Sequence, residues 1–175
     1  MGALALMAGY LIVNKYTSLT VGTYMKGLVA SLQLTWYTSI IGAVCSEAGF
    51  RGFLKSHLEK TYSALGSSLM IGVVYSIWLT IFAFISDNPS FLCLLGVALQ
   101  FILLSVFLGM VTAIWKRNLY PAISFHFFWN LVAYTMNFQN RLEFLVYSDL
   151  FLFLLCVISV AAHHIFRKHR KGEHK

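Results

Sequence analysis

The amino-acid sequence predicts an all-α fold, a polytopic transmembrane helix bundle of five to six spans making one integral membrane domain over residues 1–175. Three observations carry that expectation. Hydrophobic residues make up 59% of the chain and charged ones only 11%, where soluble domains run to about 25% charged. The mean hydropathy is +0.74. The few charges are also segregated, leaving stretches longer than the roughly 20 apolar residues that cross a bilayer core.

The elements follow in order. Met1 to Asn14 is apolar but short and makes a marginal sixth span. A cleaved signal peptide is the alternative there, weakened because no Lys or Arg precedes the apolar run. Gly27 to Ser46 is the next span. Thr61 to Ser86, Asn88 to Trp115 and Asn118 to Asn140 carry no formal charge. Phe144 to Phe166 is interrupted only by Asp149, expected within a turn or two of the outer surface, where its cost is small.

The tail 167–175, RKHRKGEHK, holds five of the thirteen Lys and Arg residues. It is expected to meet anionic membrane lipid beside a cytoplasmic helix end, and no nucleic-acid partner is expected from the net charge of +7. With that tail inside, the connections holding Lys55 and Lys60, and Lys116 and Arg117, are cytoplasmic as well. Asp87 to Pro89 and Arg141 to Glu143 lie outside. This satisfies the positive-inside rule, with Lys15 and Lys26 counting mildly against it. Tyr120 and Trp115, flanking Lys116 and Arg117, are expected as interfacial anchors.

Depth then becomes informative. Glu47 lies about two turns before Lys55, which marks the inner end of its helix. His126 lies about two turns into a helix starting near Leu119, and Tyr75 slightly deeper in one starting near Leu65. Charged residues inside a membrane face the bundle or a wet cavity and pair there. Glu47 and Arg51, at i and i+4, share a helical face in ion-pairing reach, and so do His126 and Asn130. A pairing that merely stitches the bundle is the rival reading, worth about 1 kcal/mol per interhelical hydrogen bond.

The rest of the polar inventory is bland. Cys45, Cys93 and Cys156 have no CxxC spacing and read as small buried residues. His57 is expected to be solvated, and the His163–His164 pair to end the last helix, where cations favour the dipole. Phe125, Phe127, Phe128 and Trp129 around His126 read as packing. His126 has no second His or Cys at ligand spacing, so neither a metal nor a cofactor is expected.

The stretch SEAGFRGF resembles the EExxxR motif of the CPBP family, also called ABI, which comprises the CAAX proteases and bacteriocin-processing enzymes. LYPAISFHFFWN resembles that family's last motif, HxxxN, and SSLMIGVVYS stands where the family has FxxxH. The resemblance covers a CPBP-like core of about residues 40–133. It implies that the first Glu of EExxxR and the His of FxxxH activate the attacking water. Those positions are Ser46 and Tyr75 here, and the Phe position is Ile71. It further implies an oxyanion-stabilising role for His126 and Asn130, and a supporting ion pair in Glu47 and Arg51.

Water must lose a proton as it attacks an amide, and a tuned base supplies about 10²–10⁴-fold. Serine cannot fill that role, and neutral tyrosine is an acid of pKa about 10. Two rescues stay open: Glu47 as base, turned about 100° around the helix from the family position, or a Ser46 nucleophile with His126 as base. The expected function is a catalytically degenerate CPBP protein that binds a membrane-protein or peptide partner, stabilising it, regulating it or conferring immunity. The alternative is an active, divergent CPBP intramembrane endopeptidase. A transporter has little support, since no inverted repeat or paired broken helices occur.

Overall fold

The computed structural model describes residues 2–17, 20–87, 90–136 and 142–172. Among them the secondary structure is helical throughout: α1 (Gly2–Thr17), α2 (Val21–Glu47), a π-helical turn (Ala48–Leu54), α3 (Lys55–Leu58), α4 (Ala64–Asp87), α5 (Phe91–Ile114), α6 (Tyr120–Met136) and α7 (Leu142–Gly172). The helix starts have local causes. Thr20 accepts a hydrogen bond from the Thr23 amide at 3.3 Å, and Ser90 does the same for Cys93 at 3.3 Å. Ser63 accepts from Gly66 at 3.1 Å. Each satisfies an amide that the first helical turn leaves unpaired. At α6, Asn118 Oδ1 accepts from the Tyr120 amide at 3.0 Å, and Pro121 lies in the first turn, where its missing N–H costs nothing.

Among the described residues, α4, α5 and α7 are long and apolar enough to cross a membrane, and α2 with α3 makes a fourth span if its bent halves count as one. The described residues thus give three or four spans where five or six were expected, because α1 and α6 fall short by length. At 16 and 17 residues they rise about 24 and 26 Å, less than the ~30 Å hydrocarbon core.

Small residues let the backbones of α4 and α5 approach closely. A Cβ on Gly72 would stand 3.1 Å from the backbone of Ile102, and one on Gly109 would clash with Ser68 Oγ and stand 2.7 Å from Ser68 Cβ. Ser105 Oγ donates across this seam to Ser68 O at 3.1 Å. In lipid, where apolar side chains gain little by meeting each other, such close packing and interhelical hydrogen bonding hold helices together. Gly109→Ala is therefore expected to destabilise the protein by about 1–3 kcal/mol through overpacking. Adding Ser68→Gly should restore much of the loss in a detergent melting experiment, because it removes the clashing Cβ. Failure of the second change to help would mean the seam is not what limits stability.

α7 is tied to α5 by Gln100 Nε2, which donates to Ser148 Oγ at 2.6 Å, and by Cys156 Sγ donating to Leu103 O at 3.1 Å. α6 lies against α1 and α2. Phe125, Trp129, Leu104, Leu108 and Leu152 form the centre of the apolar core, so Phe125 and Trp129 pack as the sequence suggests.

Several polar residues sit differently from their sequence expectation. Asp149 is buried against protein rather than wetted at the surface, with Oδ1 lacking a hydrogen-bond partner. The helix continues past His163 and His164 to Gly172, so that pair does not cap its end. Cys45 is exposed, while Cys93 and Cys156 are buried. His57 is exposed as expected. Pro89 and Arg141 lie outside the described residues.

Candidate functional site

Ser46 and Glu47 are the last two residues of α2, and the π-turn that follows carries Arg51. Glu47 is fully buried, with Arg51 and His126 nearly so. Glu47 Oε1 forms an ion pair with Arg51 Nη1 at 3.1 Å and accepts a hydrogen bond from His126 Nδ1 at 2.7 Å. One carboxylate oxygen thus joins the i,i+4 partner to a residue nearly eighty positions away on α6. A nitrogen this close to a carboxylate oxygen must present a hydrogen, since two lone pairs would repel. Nδ1 is therefore the donor, and His126 keeps Nε2 for other chemistry.

Ser46 is held by its own helix. Its hydroxyl donates to Gly42 O at 2.6 Å, and its oxygen lies 3.3 Å from His126 Nδ1. That is the nitrogen already facing Glu47. A serine nucleophile needs a free imidazole lone pair to take its proton. Here the serine proton sits on a carbonyl and the nearby nitrogen carries hydrogen.

Tyr75 closes the α4 side. Its ring centroid is 6.3 Å from that of His126, 4.9 Å from Phe50 and 5.4 Å from Phe101. Ser46, Glu47, Arg51, Tyr75 and His126 are thereby brought together, and Asn130 follows His126 by one turn of α6, half-buried. A cavity of about 680 Å³ lies elsewhere in the bundle, and none of these residues lines it.

Two features escaped sequence reasoning. The π-turn is the first: the Lys55 amide donates to Phe50 O, an i→i+5 bond. Residues four apart in an α-helix drift around the axis by about 40°. A wider turn advances less per residue and takes up that drift, so Glu47, Arg51 and Lys55 all stay on the buried side. The low helix propensity of Gly49 and Gly52 is the only local signal for it. Lys55 is the second. It does not sit in a solvated connection but is 3% exposed, donating to Gly109 O and to Thr112 Oγ1 at 3.3 Å, with Glu59 Oε1 at 3.2 Å. Burial of a lysine this far along the helix rests on the α5 backbone, which no local pattern reveals.

The family model described as Type II CAAX prenyl endopeptidase Rce1-like matches residues 28–132. The chain belongs to this family, within the CPBP group. No curated protein and no solved structure matches it significantly. The Rce1-like match runs from within α2 into α6 and so takes in every residue of the cluster above. It establishes a CPBP-family integral membrane protein with an all-α bundle.

Proposed function

We propose that this Rce1-like protein is a catalytically degenerate CPBP member that holds a membrane-protein or peptide partner at the His126 site without cutting it, in a stabilising, regulatory or immunity role. The observation that carries this reading is the chemistry at Ser46 and Tyr75. Where the family resemblance implies a carboxylate and an imidazole, these positions hold two hydroxyls, one of them bonded to Gly42 O at 2.6 Å. Neither accepts a proton from water near neutral pH. The oxyanion side and the ion pair persist, which is what binding without turnover needs. A cytoplasmic C-terminus belongs to the same proposal, supported by the basic tail.

One observation favours the active alternative. Glu47 Oε2 is buried and has no hydrogen-bond partner, so an incoming water has an oxygen to approach. Against it stands the pairing of the same carboxylate with Arg51 and His126 through Oε1, which holds it in place within the cluster.

The test is a cleavage assay on purified wild-type protein, with a prenylated CAAX peptide and an unprenylated peptide library as substrates. No products are expected. Partner recovery from native membranes should fall on His126→Ala or Asn130→Ala in proportion to lost binding. Turnover that Glu47→Gln or Ser46→Ala abolishes, with folding intact, would overturn the degenerate reading in favour of an enzyme.

A further inference from the structure

A second polar assembly lies outside the His126 site, at the end of the bundle where α7 becomes basic. A cavity of about 680 Å³ opens there between the turn preceding α4, the end of α5 and α7. Its lining includes the polar residues Glu59, Arg117, His163 and Arg167 and the apolar residues Ile114 and Phe166. The charges do not balance. Glu59 is already engaged by buried Lys55 at 3.2 Å, and that pair is neutral. Arg117 reaches the other Glu59 oxygen at 3.4 Å with its side chain 71% exposed. Arg117 and Arg167 therefore leave the cavity lining with a net positive charge.

The backbone presents Arg117 there at a cost. Lys116 and Arg117 have φ of 52° and 66°, the left-handed region that costs a residue with a side chain roughly 1–2 kcal/mol. The conformation is closed by the Arg117 amide donating to Thr112 O at 2.8 Å, the six-to-one bond of a helix C-terminal motif usually built on glycine. Backbone strain of this kind concentrates at ligand sites.

Depth narrows the ligand class. Trp115 and Tyr120, on either side of Arg117, are 56% and 80% exposed, as aromatic residues at headgroup level are. A cavity at that depth, lined by both guanidinium and apolar side chains, suits a molecule with a phosphate at one end and a hydrocarbon chain at the other. Guanidinium groups match phosphate oxygens in geometry as well as charge.

We propose that this cavity binds an anionic phospholipid, its phosphate between Arg117 and Arg167 and the start of its chain against Ile114 and Phe166. The experiment titrates the full-length protein in detergent with short-chain phosphatidylglycerol, with phosphatidylcholine of equal chain length, and with inorganic phosphate. Binding is read by tryptophan fluorescence and by melting temperature, which rises when a ligand binds only the folded state. Phosphatidylglycerol is expected to bind saturably. Arg117→Gln with Arg167→Gln should weaken that binding on the order of tenfold. Lys116→Gln, which is basic but does not line the cavity, should leave it unchanged. If the double variant does not fold, Arg117→Gln alone is read in the same way, since that side chain is largely exposed. Equal binding of phosphatidylcholine, or unchanged affinity in the arginine variant, overturns the proposal. So does an equal shift from inorganic phosphate at the same concentration, which would make this a free-phosphate site.

Discussion

Arg51→Ala is expected to destabilise the protein by about 3–5 kcal/mol, the cost of leaving one partner of a buried pair without its counter-charge. The stranded group would be Glu47, fully buried and otherwise held only through the His126 Nδ1 hydrogen bond at 2.7 Å. Ser46→Ala, one residue away from Glu47, should cost about 0.5–1.5 kcal/mol, since it removes a single hydroxyl bonded within its own helix. Glu47→Leu combined with Arg51→Leu should recover stability relative to either single change, because a buried pair replaced by apolar groups of similar volume leaves no orphan charge. Melting temperatures in detergent and yields in membranes provide the comparison. Equal values for Arg51→Ala and Ser46→Ala would show that the pair is not buried as described.

The largest functional effect is expected from Ser46→Glu combined with Tyr75→His. This double change should raise peptidase activity from below detection, because a general base typically supplies about 10²–10⁴-fold and the His126 side is already assembled. Both positions stand beside His126: Ser46 Oγ is 3.3 Å from its Nδ1, and the Tyr75 ring centroid is 6.3 Å from the imidazole. The smaller imidazole fits where the Tyr75 ring now packs on Phe50 and Phe101. Each single change should give much less, since carboxylate and imidazole act on the same water. The measurement is product formation from a prenylated CAAX peptide by the folded double variant, compared with wild type and both singles. Activity in wild type equal to that of the double variant would show that Ser46 and Tyr75 cost nothing, and the proposed degeneracy would fall.

Much of the site could be read from local patterns. Glu47 with Arg51, and His126 with Asn130, are i,i+4 pairs, and such pairs share a helical face whatever surrounds them. The long uncharged stretches required helices, because lipid leaves no other partner for the backbone. Asp149 and Lys55 were misplaced for a common reason. Their neighbours in sequence suggested wet helix ends, whereas Lys55 is held by Gly109 and Thr112 of α5 and Asp149 is buried on α7, which packs against α5.

By itself, then, the sequence determined an all-α membrane bundle of the CPBP family and the ion pair of Glu47 and Arg51. These depend only on residue identity and on helical periodicity. Tertiary structure alone decided that Glu47 Oε1 serves both Arg51 and His126, that the π-turn keeps Lys55 on the buried side, and that Arg117 and Arg167 line one cavity. Each of these joins residues dozens of positions apart or rewinds a helix against its local preference, and side-chain packing between helices sets both.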